Sequence, residues 1–342
     1  METEASCDDE HLSATVSTRR RSHSVSDDYS VQCTNDDATQ CKYAAIQLKY
    51  WEDPFLERFL SAASDKKIRR DPEISIGYWA RVAAVTKLVT DFIKSTDGKC
   101  QIISLGCGFD TLYWRLKKDE LKFVRYVEVD FSSVTAKKIR HIMKPGSDVL
   151  RGFFTETPRE EHHSDLHGGD YQLIGADLRQ WSELKGKLDK TQLDHSIPTL
   201  VLAECVLVYM PLTQSETLIR NLAETFSTVV FVNYEQFRTS DKFGHVMEKN
   251  LEQRGIQLLG LDACASVDTQ KERFLKNGWS NAVVLDMQTV YKTILSSQVR
   301  SIESIESLDE MELLWQLLSH YCIVHAVADK TSTFLKKLSL EL

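Results

Sequence analysis

The stretch IISLGCGFDTLYWRL, residues 102–116, runs a short apolar segment into two glycines one residue apart and then into a helix-like pattern. In an open parallel sheet, ligands sit beyond the carboxyl ends of the strands, where the strand order reverses. Gly106 and Gly108 fall where such a strand would end. Glycine there lets the backbone turn sharply and lets a ligand lie against it without a Cβ. Asp110 is suited to cap the next helix by accepting backbone N–H groups. A dinucleotide-binding turn carries a third glycine, as G-x-G-x-x-G, for close packing beneath a pyrophosphate. That position holds Thr111, so a nucleoside ligand without a pyrophosphate fits better.

Apolar runs with strand character recur at residues 100–106, 123–131, 171–178, 199–209, 228–235, 282–287 and 321–329. Helical spacing of apolar residues fills the intervals, as over 134–143, 215–226 and 310–319. Seven strands alternating with helices predict a doubly wound, Rossmann-like α/β sheet, mostly parallel and covered on both faces. Upstream, residues 41–60 and 75–94 read as amphipathic helices, and the region from about 41 to 97 is expected to form a helical lid. Tyr78, Trp79 and Trp51 are assigned to building that lid. Residues 144–170 are polar and irregular, an insertion between the second and third strands. Its three histidines, His162, His163 and His167, lack a Cys or acidic pair at ligand spacing, so no metal is expected.

Residues 1–40 hold nine acidic side chains and three arginines, a net of -6 that leaves -2 of the total -8 for residues 41–342. That segment has few large apolar side chains and reads as a disordered tail, with a basic-directed phosphorylation motif at Ser22 or Ser24. Its removal through residue 35 is expected to leave activity unchanged. The near-neutral body, residues 41–342, has no basic stripe, which argues against a nucleic-acid partner. With 42% hydrophobic and 27% charged residues the chain can bury a sizeable core, and no apolar run approaches a membrane span. The acidic N-terminus lacks the apolar core of a signal peptide. Eight scattered cysteines without a CxxC pair predict reduced thiols, so cytoplasmic residence is expected.

The later strand ends narrow the ligand. The second strand ends in Asp130, 24 residues after Gly106, where a carboxylate can accept from both hydroxyls of a ribose. The third ends in GADLR, offering Asp177 to an adenine amino group and Leu178 as an apolar face for the ring. The fourth ends with Glu204 beside the same cleft. Gly-x-Gly, Asp, Asp and Glu on four successive strand ends suggest an adenosine cofactor without phosphates, S-adenosylmethionine being the obvious one.

SLGCGFDT, EVDF, GADLR, AECVLVYM and FVNYEQ occur in the order and spacing of the leucine carboxyl methyltransferases, which the chain resembles. CKYAAIQLKYWEDPF and GYWARV upstream, with SLDEMELL and HYC downstream, extend the resemblance from about residue 41 past 325. It implies the fold of class I S-adenosylmethionine-dependent methyltransferases, with cofactor contacts at Lys42, Arg81, Gly106, Asp130, Asp177, Leu178 and Glu204. It also implies the reaction, which is methyl esterification of the C-terminal leucine carboxylate of the protein phosphatase 2A catalytic subunit, regulating holoenzyme assembly. Methyltransferases at large carry an acidic residue two positions before the first glycine, where this chain has Ser104. A related family of the tRNA wybutosine pathway adds a long repeat domain, for which no room is expected before Leu342.

An α-carboxylate has a pKa of ~3.3–3.7 and is already ionised at neutral pH, so its methylation needs no general base. The chain accordingly offers no compelling Ser-His-Asp or Cys-His set. Alignment is what remains to be supplied, and two cations suit it. Arg81 can hold a carboxylate in a bidentate fork, and Lys42 can clamp a second one. Tyr209 is a further candidate, as a hydroxyl donor near the reacting carboxylate. Cys107, between the glycines, has no base partner and reads as a small filler. A monomer is expected. A methyltransferase of small-molecule acids or amines, and a non-catalytic phosphatase-binding protein, remain open as alternatives.

Overall fold

The computed structural model describes residues 25–60 and 69–331. Five strands run parallel: β1 (Gln101–Leu105), β2 (Arg125–Asp130), β5 (Tyr171–Gly175), β6 (Thr199–Glu204) and β7 (Thr228–Gln236). Two further strands, β8 (Asn281–Asp286) and β9 (Tyr321–Asp329), close one side, with β9 antiparallel between β7 and β8. All seven sequence-predicted strands are therefore present. The sheet nevertheless has nine strands, in the order β3-β4-β5-β2-β1-β6-β7-β9-β8. The extra pair, β3 (Arg159–Glu161) and β4 (Asp165–Gly168), corrects the expectation of an irregular insertion. These strands are too short and too charged to show an apolar alternation; the open edge of β5 supplies their pairing. An edge of Arg159, Glu160 and Glu161 also discourages pairing with another chain. His162 and His163 turn the hairpin at positive φ, and among the described residues no group of His, Cys, Asp and Glu could hold a metal ion.

Alternate residues of each central strand enter opposite core layers. Ile102, Leu200, Leu202, Val230 and Val232 pack on one face, and Ile103, Val201, Ala203, Val229 and Phe231 on the other. Helix α1 (Val25–Gln47) packs on α2 (Pro72–Ser95), whose residues Trp79, Ala80, Val85, Val89 and Phe92 enter the first layer. Helices α3 (Leu112–Lys118) and α4 (Ser132–Met143) and the single turn α5 (Asp148–Arg151) join that layer. Helices α6 (Trp181–Leu188), α7 (Leu212–Thr225), α8 (Lys242–Gln253) and α9 (Val267–Leu275) come later in the chain, and α6, α7 and α9 feed the second layer. The short helices α10 (Met287–Lys292), α11 (Ser296–Glu303) and α12 (Met311–Ser319) return the chain to the first layer before β9. Among the described residues no helix is long and apolar enough to cross a membrane.

The boundary of the N-terminal segment is corrected. Residues 25–40 are helical and continue without a break into the predicted lid. The stretch lacks an apolar stripe because it presents polar groups to the ends of the strands: Thr39 is buried and Asn35 accepts from the Phe109 N–H at 2.7 Å. Ser22 and Ser24 lie outside the described residues. Trp79 belongs to the core, edge-on to Tyr291, and Thr111 is buried with its hydroxyl donated to Asp53. The third-glycine position therefore anchors α3 to the segment before residue 56 and has no part in a pyrophosphate turn.

Beneath the glycine turn lies a wholly buried ion pair. Lys138 Nζ of α4 is 2.5 Å from Glu128 Oε2 of β2, and both side chains are 0% exposed. Lys138 also donates to the Asp110 carbonyl at 2.8 Å, and the Tyr171 hydroxyl donates to Glu128 at 2.6 Å. Burial opposes the ammonium, but Glu128 outweighs it and raises the Lys138 pKa. Removing one member of such a pair strands the other. Lys138→Met is expected to cost roughly 3–5 kcal/mol in urea unfolding, because Glu128 is left uncompensated. A loss under about 1 kcal/mol would show that the pair is dispensable.

Candidate active site

The chain runs from β1 through β2 to β5 on one side and from β6 through β7 on the other, so the strand order reverses between β1 and β6. A cavity of about 350 Å³ opens over that point. It is lined by all eight residues singled out from the sequence: Lys42, Arg81, Gly106, Asp130, Asp177, Leu178, Glu204 and Tyr209. Its size suits a small-molecule site, which typically occupies ~300–1,000 Å³.

Gly106 and Gly108 adopt positive φ, +60° and +47°. A Cβ on Gly106 would run into Val206, and one on Gly108 into Asn35 Oδ1. The second glycine therefore makes room for α1. Asp130 accepts from the Gly108 N–H and from its own Phe131 N–H, both at 2.7 Å. Burial pushes its carboxyl pKa up, and those two N–H groups oppose the rise. A carboxylate has about four acceptor positions, so these bonds leave capacity for a pair of hydroxyls.

Asp177 is gripped by Arg179, whose Nε lies 2.8 Å from Oδ1 and whose Nη2 lies 2.8 Å from Oδ2. The same guanidinium reaches α1, with Nη1 and Nη2 each 2.8 Å from an oxygen of Asp28. Arg179 thus orients the predicted adenine-binding carboxylate and latches α1 across the cavity. Neither Arg179 nor Asp28 was anticipated. A basic residue two positions after a strand-end acid is the only trace either leaves in the sequence, and Asn35 leaves none.

Lys42 donates to Asp110 Oδ2 at 2.7 Å. Asp110 Oδ1 in turn accepts from the Leu112 N–H at 2.7 Å, the capping role expected of it. Burial works against the Asp110 carboxylate, but Lys42 and Arg115 outweigh it and hold its pKa below the ordinary range. Arg81 Nε is 2.5 Å from Glu204 Oε2, and Nη2 donates to the Glu204 carbonyl at 3.3 Å. The guanidinium lies 4.9 Å from the centroid of the Tyr234 ring, and Tyr78 lines the cavity beside it. Lys42 and Arg81 therefore face one cleft, each tethered by a carboxylate. The Cys107 thiol is pushed well up by burial and that of Cys205 up to about 12, so both stay protonated.

Tyr209 stands on a turn, Leu207–Tyr209, braced from behind. Arg273 of α9 donates to the Leu207 carbonyl at 3.2 Å and to Ser215 Oγ at 2.8 Å, and it lies 3.6 Å from Glu235 Oε2. Burial pushes the Glu235 carboxyl up to about 7.

The strand order with β9 reversed between β7 and β8, and the cavity at the switch point, define the class: an S-adenosylmethionine-dependent methyltransferase fold. A solved putative methyltransferase from Thermobifida fusca shares it, with a TM-score of 0.53 at 12% identity over 86% of this chain and 94% of that one. A family model described as leucine carboxyl methyltransferase matches residues 30–223. The probable leucine carboxyl methyltransferase 1 of Caenorhabditis briggsae is 57% identical, covering 95% of this chain and 99% of that protein. The leucine carboxyl methyltransferase 1 of Rattus norvegicus is 40% identical, covering 92% and 94%. The human tRNA wybutosine-synthesizing protein 4 is 36% identical over 86% of this chain but only 44% of its own length. The chain belongs to the leucine carboxyl methyltransferase family.

Losing the Arg179 latch should loosen the Asp177 end of the cavity. Arg179→Ala and Asp28→Ala are each expected to loosen S-adenosylhomocysteine roughly tenfold by calorimetric titration. A truncation through residue 35 should do the same, contrary to the expectation from sequence; unchanged affinity in all three would remove the latch. Glu235 predicts a pH effect. Its folded pKa is raised, so between about 4.5 and about 7 the folded state keeps a proton that the unfolded chain releases. Stability from this group is full at the acid end and is lost as pH rises through about 7. Unfolding free energies from urea titrations across that window should fall with pH in the wild type, by up to about 3 kcal/mol, and stay flat in Glu235→Gln.

Proposed function

We propose that the chain transfers the methyl group of S-adenosylmethionine to the α-carboxylate of the C-terminal leucine of the protein phosphatase 2A catalytic subunit. The product is a methyl ester that regulates holoenzyme assembly. The observation that carries this reading is the meeting of Arg81 and Lys42 with Gly106, Asp130, Asp177 and Glu204 around one cavity. Membership of the leucine carboxyl methyltransferase family supports the carboxylate as acceptor.

The donor set suits the cofactor. Asp130 offers a ribose pair its remaining acceptor positions, Asp177 and Leu178 offer the adenine an acceptor and an apolar face, and Glu204 with Arg81 suits an amino-acid end. When bound, S-adenosylmethionine supplies an electrophilic methyl on a sulfonium. The chain's own residues do the rest. Arg81 orients a carboxylate through the donors that Glu204 does not take, and Glu204 fixes the plane of that fork. A grip on the ionised nucleophile stabilises its ground state too, so orientation is the contribution that counts. Proximity of this kind can supply ~7–11 kcal/mol. Helix α1 lines the cleft and is held there through Asn35 and Asp28. Protonated Cys107 and Cys205 offer no thiolate to compete with the acceptor.

The test is transfer of labelled methyl to purified, full-length phosphatase catalytic subunit. Label released by mild alkali is expected, because a methyl ester is base-labile and a methylamine is not. No label on the subunit together with label on a small acid, or a base-stable product, would overturn the reading. Arg81→Ala and Asp130→Ala should each lower transfer on the order of 10²-fold or more, with urea midpoints near wild type. Near wild-type turnover in either variant would sink the role given to that residue.

A further inference from the structure

Ser104 stands on β1 two residues before Gly106, and its side chain takes the face of Ile102, the layer that α2 enters. It is 5% exposed and lines the cavity. Among the described residues no group hydrogen-bonds its hydroxyl. The Ser75 hydroxyl of α2 also lacks a partner but is sealed in the core, whereas that of Ser104 keeps accessible surface. Strand β1 is buried along its whole length, so the cavity is the space on which this hydroxyl opens. Its neighbours across the sheet are Glu128 on β2 and Leu202 on β6. Glu128 is the buried partner of Lys138, and burial already pushes its carboxyl pKa up while Lys138 opposes the rise. Neighbouring strands lie about 5 Å apart, so an acid at position 104 would set a second buried carboxylate beside Glu128. Like charges that close oppose each other's ionisation. A neutral hydroxyl avoids the repulsion and still leaves an acceptor on the floor of the cavity.

We propose that Ser104 binds the amino-acid end of the cofactor, its Oγ accepting a hydrogen bond from the α-ammonium where methyltransferases at large present an acid. The inference rests on S-adenosylmethionine as the cofactor and is independent of the methyl acceptor. An ammonium brings three donors. Glu204 lies two residues past Leu202 on the same face of the adjacent strand, and it gives Oε2 to Arg81 while Oε1 stays free for a second donor. An ammonium between Ser104 Oγ and Glu204 Oε1 therefore meets two acceptors and one full negative charge. Strand β6 supplies the charge and β1 the neutral acceptor, because the β1 position borders Glu128. A ligand without the amino group brings no donor to Oγ.

The test is calorimetric titration of the full chain with S-adenosylhomocysteine and with deamino-S-adenosylhomocysteine, in which a hydrogen replaces the amino group and the carboxylate remains. Ser104→Ala should bind S-adenosylhomocysteine roughly tenfold more weakly than wild type and bind the deamino compound as wild type does. An equal loss on both ligands would place the hydroxyl against another atom, and no loss on either would remove it from the site; each result overturns the inference. Ser104→Cys, close in size and a weak acceptor, gives the same comparison should the alanine variant fail to fold. Ser104→Asp tests why the position is neutral. It should unfold at lower urea than wild type, and combining it with Glu128→Gln should cost less than the two single losses together, since one carboxylate then faces Lys138. Wild-type stability in Ser104→Asp, or additive losses in the pair, would overturn the part given to Glu128. Failure of wild type to bind S-adenosylhomocysteine would overturn the cofactor itself, and this inference with it.

Discussion

The turn after β1 is held from three directions, and the site depends on that grip. From below, Lys138 donates to the Asp110 carbonyl while paired with Glu128 in the core. From the side, Asp130 takes the Gly108 N–H, and from above Asn35 takes the Phe109 N–H. A backbone at positive φ on both glycines would otherwise relax toward commoner conformations. Fixing it lets a strand end serve as one wall of a ligand cleft. The buried pair earns its desolvation cost here by position, since replacing such pairs with apolar residues is often neutral for stability alone.

Charge is distributed in the cavity by the same logic. Asp110 meets Lys42, Glu204 meets Arg81, and Asp177 meets Arg179, so three of the four cavity carboxylates at the strand ends and the turn after β1 are tethered to a cation. The fourth, Asp130, is held by backbone N–H groups and has its pKa raised by burial. It is the one of the four whose environment is least committed to another side chain. Arg179 serves two masters, Asp177 and Asp28, so a change at either end of α1's contact with the site is felt at the other.

Much of this was legible in the sequence, because parallel strands buried on both faces read as continuous apolar runs. All seven stood out, and their ends named Gly106, Asp130, Asp177 and Glu204 without knowledge of the topology. Lys42 and Arg81 came from the family resemblance, since a cation on a helix carries no sign of which cleft it faces. Residues 25–40 were missed for a physical reason. Their helix is held by polar contacts to strand ends, Asn35 to the Phe109 N–H and Asp28 to Arg179, and such contacts have no period. The hairpin of β3 and β4 was missed because its partner, the edge of β5, lies outside any local window.

Topology also explains why the β9 side of the cavity was harder to read than the side built from β5, β2, β1 and β6. Residues from β5, β2, β1 and β6 reach the cleft at the carboxyl ends of parallel strands, where a rule based on chain direction finds them. Strand β9 runs the other way, so its first residue, Tyr321, lies at that edge and its last, Asp329, lies opposite Thr228 at the far end of β7. A rule that looks past strand ends passes over Tyr321 altogether. The reversal aligns Tyr321 with Gln236 and stacks it on Tyr234, beneath Arg81. One antiparallel strand thus brings the Tyr321 ring to the cavity wall beside the Arg81 guanidinium. That wall lies beyond β6, on the β7–β9 side of the switch point between β1 and β6.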